Sequence, residues 1–148
     1  MNFKRIISIV LVCLMATMSM TAKVRKSKAP VKITCIGASI TEGAMTANPA
    51  TDSYPAQLGR MLGERYVVSN FGVGGCTMLR KGDCPYWEKE AYQQALASEP
   101  DIVFIDLGGN DSKAVNRVHM DEFVKDACEM IASFQNLPTK PRIIVLTP

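Results

Sequence analysis

The sequence predicts an α/β domain, a doubly wound parallel sheet held as the middle of three layers. Three observations point there. Four short apolar runs rich in β-branched residues recur at 31–36, 66–71, 102–107 and 143–146, and near-continuous hydrophobicity is what strands covered on both faces require. Between them lie stretches with apolar residues at helical spacing. Alternation of strand and helix implies right-handed crossovers, which make neighbouring strands parallel and gather every loop that follows a strand at one edge.

In chain order, the 148 residues open with Lys4 and Arg5 and an apolar stretch at 6–20. That stretch is shorter than the roughly 20 residues of a membrane span. Residues 1–22 are therefore expected to be a secretory signal cleaved after Ala22, which implies a secreted or periplasmic protein. An uncleaved N-terminal anchor is the alternative. Cys13 has further apolar residues after it and does not suit lipid attachment. Residues 23–30, with Lys23, Arg25, Lys26 and Lys28, read as a solvated basic linker. Residues 31–148 suffice for one domain and are too few for two.

Within that domain the first strand, 31–36, runs into Gly37. Ser53, with Pro55 just inside, can start a helix whose Leu58, Met61 and Leu62 share a face and which Gly63 ends. After the strand at 66–71, Trp87, Ala91, Ala95 and Leu96 mark a second helix closed by Pro100. The third strand follows at 102–107. Asp121 then opens a helix with Phe123, Ala127, Ile131 and Phe134 on one face, before Pro138 and the fourth strand at 143–146. Doubly wound domains usually continue beyond that point, so the domain is expected to be truncated after its fourth strand.

Six of the 17 Lys and Arg residues precede Val31 and none of the 14 Asp and Glu residues does. The net charge of +3 thus arises outside the domain, which is itself slightly acidic and shows no nucleic-acid footprint. Four cysteines follow the signal. Cys35 falls in a strand and Cys128 on the apolar face of a helix, where free cysteine behaves as a small hydrophobe. Cys76 and Cys84 flank a loop that a disulfide could close in an oxidising compartment, with free thiols the favoured state. No cysteine pair has zinc spacing, and a lone histidine, His119, argues against a metal centre. No organic cofactor is implied.

The strand-end loops carry the chemistry. Ser39 sits in Gly37-Ala38-Ser39-Ile40-Thr41-Glu42-Gly43, where the first strand opens at the edge that α/β enzymes use. Attack by a serine on an ester leaves an oxyanion that needs donors aimed at it. Gly74-Gly75 after the second strand can bring a backbone N–H close with no side chain in the way, and Asn110 after the third offers an amide. The serine also needs a base to take its proton. Either His119 is that base or the base lies outside this sequence.

These motifs resemble the SGNH hydrolases, also called GDSL-type esterases, named for blocks that contribute serine, glycine, asparagine and histidine. Gly37-Ala38-Ser39-Ile40-Thr41-Glu42-Gly43 is similar to the first block except for Ala38 in place of aspartate. Asn70-Phe71-Gly72-Val73-Gly74-Gly75-Cys76-Thr77 resembles the second and Gly108-Gly109-Asn110-Asp111 the third. The resemblance implies a flavodoxin-like fold with Ser39 as nucleophile and Gly75 and Asn110 as oxyanion donors. It implies an acylesterase for glycan or small-molecule esters, with acetylated sugars ahead of lysophospholipids, no cofactor and no nucleic-acid or membrane partner. The fourth block, Asp-x-x-His, is missing; Asn116-Arg117-Val118-His119 is the only similar string. The chain alone is accordingly expected to be inactive, with the pair expected past Pro148.

Other readings are weaker. Gly72-Val73-Gly74-Gly75 follows the second strand and lacks the third glycine of a dinucleotide loop. Gly37-x-Ser39-x-Thr41 is not the Gly-x-Ser-x-Gly elbow. Asp111 is expected to cap its loop, Asp106 to be satisfied by backbone donors, and Trp87 to be buried rather than to form, with Tyr86, a stacking wall for a sugar. The rival class is a non-catalytic carbohydrate-binding module or a degenerate fragment.

Overall fold

The computed structural model describes residues 29–146; the expected signal segment lies outside them. Four parallel strands form one sheet in the order β2-β1-β3-β4: β1 (Val31–Gly37), β2 (Tyr66–Gly72), β3 (Ile102–Asp106) and β4 (Arg142–Val145). The chain steps from β1 to one side for β2 and returns past β1 for β3. Between β1 and β3 the loops therefore diverge, which opens a crevice at the C-terminal ends of the strands. Register sharpens the point: Gly37 pairs with both Gly72 and Asp106, so three loops leave the sheet at one level.

The helices are α1 (Ser39–Glu42), α2 (Pro49–Asp52), α3 (Tyr54–Leu62), α4 (Glu90–Ala97), α5 (Ala114–Arg117) and α6 (Phe123–Gln135). α3 starts after Ser53 with Pro55 in its first turn and stops at Gly63, whose φ of 72° suits glycine. α1, α2 and α5 have four residues each, too short to leave an apolar period in the sequence. Trp87, expected within the second helix, lies instead in a 3-10 turn, Tyr86–Glu88, just before α4.

Successive strand residues face opposite ways. Val103 and Ile105 point to the main core, where they are buried with Tyr92 and Ala95 of α4 and Met130 and Phe134 of α6. Tyr92 meets the ring of Phe134 edge to face at 6.1 Å. Phe104 faces the other way and, with Tyr54, Leu58 and Met61 of α3, lines an apolar cavity of about 380 Å³ that Leu146 borders.

The two faces are unequally covered, which corrects the expectation from hydrophobicity alone. Of the two inner strands, β1 is buried on both sides from Ile33 to Gly37 and β3 at alternate residues, while β2 and β4 are the sheet's edges and are only partly buried. On α3 the expected apolar face is incompletely used, since Met61 is 84% exposed. Cys128 is exposed as well. It lies two residues from both Asp126 and Met130, roughly 200° around the helix from that buried side. Among the described residues no helix is long and apolar enough to cross a membrane.

Candidate active site

The turn that presents Ser39 is fastened to three strands. At Gly37 a Cβ would stand 2.0 Å from Thr41 Oγ1 and 2.8 Å from the Asp106 carbonyl, so only glycine lets the chain enter α1 here. Ser39 is the first residue of α1, half-buried, and Gly43 ends the helix at a φ of 93°. Thr41 is buried and its hydroxyl donates to Asp106 Oδ2 at 3.0 Å. From β2, Asn70 Nδ2 donates to the Thr41 carbonyl at 2.7 Å, while Asn70 Oδ1 accepts from Gly72 N. α1 presses so closely on β2 that a Cβ on Gly72 would lie 2.1 Å from the Glu42 nitrogen.

The second and third loops are clamped to each other. Gly75 has a φ of 80° and open space where a side chain would be. Its neighbour Cys76 is buried, and the Cys76 carbonyl accepts from Asn110 Nδ2 at 3.0 Å. Asp111, fully buried, takes the N–H groups of Met78 at 3.0 Å and Leu79 at 2.7 Å. Asn116, also fully buried, donates from Nδ2 to the Asn110 carbonyl at 2.8 Å and to Asp83 Oδ1 at 2.9 Å, and its Oδ1 accepts from Asp83 N. Asp126 of α6 accepts from Arg80 N at 2.8 Å.

Ser39 and Asn110 line one cavity of about 170 Å³, together with Ala38, Ile40, Asp106 and Gly109. Gly75 is not part of that lining; it adjoins it through Cys76, whose carbonyl holds the Asn110 amide. His119 is not part of the lining either. It sits ahead of a 3-10 turn, Met120–Glu122. A larger cavity of about 350 Å³, lined by Glu42, Pro49, Ser53, Asn70 and neighbours, contains neither Ser39 nor Asn110.

Asp106 has two titratable neighbours, the buried Cys35 and the half-buried Tyr54. Burial, with Asp106 adding to it, pushes the Cys35 thiol up to about 11, and burial likewise raises the Tyr54 phenol, whose oxygen lies 3.5 Å from Thr41 Oγ1. Asp106 departs from expectation: its carboxylate is met by the Thr41 hydroxyl rather than by backbone donors, because β3 ends there and the chain does not turn back over it.

Asp111 caps a loop as expected, although the loop is the one after β2 and not its own. Tyr86 is fully buried with its hydroxyl donating to the Phe71 carbonyl at 2.5 Å, and Trp87 is covered by the Arg80 guanidinium 3.5 Å from its ring centre. Neither is free to stack on a sugar. The sequence reading missed Asn116 and Asp126. Asp126 left a signal, being a carboxylate set among Phe123, Ala127 and Met130 on the buried stripe of α6.

Comparison with known proteins agrees with this architecture. Residues 35–148 match the GDSL-like lipase/acylhydrolase family. An acetylxylan esterase of Xylanibacter ruminicola is 47% identical over 105 residues, which cover 71% of this chain and 22% of that protein. The chain thus spans about a fifth of the length of that curated relative.

Among solved structures, a two-domain esterase active on acetylated mannans superposes with a TM-score of 0.62 at 21% identity, covering 91% of this chain and 34% of the other. A carbohydrate acetylesterase family member from Sinorhizobium meliloti gives 0.57 at 19% identity, covering 80% and 62%. At those identities the two structures speak to the fold. The sheet order 2-1-3-4, the three glycine-bearing loops leaving it at one level and the family match over residues 35–148 lead to one conclusion: the chain belongs to the GDSL-like lipase/acylhydrolase family.

Proposed function

We propose that this chain carries the nucleophile and oxyanion parts of a serine esterase that removes short acyl groups, acetyl foremost, from carbohydrates. The observation that supports it most is the cavity shared by Ser39 and Asn110. In this reading Ser39 Oγ attacks the acyl carbon, and the tetrahedral oxyanion is held by Asn110 Nδ2 and the Gly75 N–H.

The asparagine geometry favours that role. An amide nitrogen has two hydrogens. One is taken by the Cys76 carbonyl, which sets the orientation of the group and leaves the other for the oxyanion. Such a donor is preorganised, so little reorganisation is needed as charge develops. The cavity holds on the order of five water-sized groups by volume, which suits a short acyl chain. The names of the relatives favour an acetylated glycan as the alcohol side of the ester, and residues 1–22 are read as the export signal that would bring the enzyme to it.

A second reading, a module that binds acylated glycan without cleaving it, is favoured by one observation: the chain's single histidine does not line the cavity. One experiment separates the two. Release of acetate from 4-nitrophenyl acetate and from acetylated xylan is followed for the chain and for Ser39→Ala, each with and without added imidazole as a diffusible base. The esterase reading expects a Ser39-dependent rate that imidazole increases. Identical rates for the two proteins under both conditions overturn it in favour of binding alone.

A further inference from the structure

We propose that Cys76 and Cys84 form a disulfide site that is oxidised by exchange with an organic disulfide such as oxidised glutathione, closing the loop behind Gly75 on itself. Their sulfur atoms lie 3.4 Å apart as free thiols. The backbone on either side is already paired: Thr77 N donates to the Cys84 carbonyl at 2.9 Å, Tyr86 N donates to the Thr77 carbonyl at 3.1 Å, and Thr77 and Pro85 form an isolated parallel bridge. The intervening segment is pinned independently by Asp111, Asn116 and Asp126. Bonding therefore needs the sulfurs to close from 3.4 Å to about 2.05 Å across a main chain already held in place on both sides.

The two thiols differ in access, and that orders the steps. Cys76 is fully buried, and burial with the neighbouring Cys84 pushes its thiol up to about 12. Cys84 is partly exposed and is therefore the sulfur that an organic disulfide reaches first. The Cys84 thiolate attacks one sulfur of the organic disulfide, whose S–S bond breaks and releases one thiolate. In the mixed disulfide, Cys76 gives up its proton to the departing thiolate and attacks Cys84 Sγ, expelling the second thiol. Two protein thiols lose two electrons and two protons, and the organic disulfide becomes two thiols.

The bond would fasten the residue that follows Gly75 and whose carbonyl orients Asn110. Its existence does not depend on the esterase reading, and the test reads bonding and melting rather than turnover. The full chain is equilibrated in reduced or in oxidised glutathione, alkylated, and digested with trypsin without reduction.

Because Arg65, Arg80, Lys81 and Lys89 are cleavage points, each cysteine falls in its own peptide, residues 66–80 and 82–89. The expected result is a cross-linked pair of these peptides from the oxidised sample, with a melting temperature raised on the order of 5–10 °C over the reduced one. Cys84→Ser should abolish both effects. Recovery of the two peptides alkylated, bound to glutathione only, or linked to the peptides of Cys35 or Cys128 overturns the proposal. So does the same melting shift on oxidation in Cys84→Ser.

Discussion

At the residue scale the site depends on a few polar groups with no slack. Asn110 uses one amide hydrogen on the Cys76 carbonyl and its own carbonyl on Asn116, so its position is fixed from both ends. If it is an oxyanion donor, Asn110→Ala should lower the Ser39-dependent rate of acetyl-ester cleavage that added imidazole supports by on the order of 10²–10³, read in the assay described above. Ser39→Ala should remove the enzyme-dependent rate altogether. His119→Ala should leave that rate unchanged, since His119 does not line the cavity; a loss of turnover in the same assay would make it the base. Asp111 is a stability residue. Its removal leaves the buried N–H groups of Met78 and Leu79 without acceptors. At about 1–3 kcal/mol per orphaned group, Asp111→Ala should cost roughly 3 kcal/mol or more in chemical denaturation, and Asp111→Asn, which keeps one acceptor oxygen, clearly less.

At the scale of elements, the short helix α1 is held less by its own hydrogen bonds than by its contact with the ends of β1, β2 and β3. The most sensitive point is where the Glu42 backbone nitrogen lies over Gly72. A methyl group there meets backbone on a short, clamped turn, so Gly72→Ala should destabilise the domain by about 2–3 kcal/mol. It should also displace Ser39, measured as lost unfolding free energy together with lost acetyl-ester turnover. An unaltered midpoint would show that the turn moves freely, contrary to the clamping described. Gly63→Ala is the matching control. Nothing lies within 4 Å of its Cβ position, so only backbone strain applies: at φ 72° and ψ −173°, a region essentially confined to glycine, it should cost about 1–3 kcal/mol while leaving Ser39 and acetyl-ester turnover undisturbed.

For the molecule as a whole, the two faces of the sheet contribute unequally. Phe134 is fully buried against α4 and β3 whereas Met61 on the other face is 84% exposed. Phe134→Ala should cost about 3–5 kcal/mol and Met61→Ala within about 0.5 kcal/mol, compared by urea midpoints at constant m-value. Similar losses would mean that the α3 face is covered in solution. Much of this fold was legible in the sequence because its signals are local. β-branched runs marked all four strands, Ser53, Pro55 and Gly63 bounded α3, and the glycine-bearing strand ends singled out Ser39, Gly75 and Asn110. The roles of Asn116 and Asp126 and the Arg80–Trp87 stack were not legible. The sequence by itself thus determined the order and kind of elements and the residues offered at the C-terminal edge of the sheet. Which loop Asp111 would clamp, that Ser39 and Asn110 would share a cavity, and which face would stay open were decided only in three dimensions. Periodicity records which way a residue faces along its own element, whereas these contacts depend on strand order, register and the path of loops between residues distant in the chain.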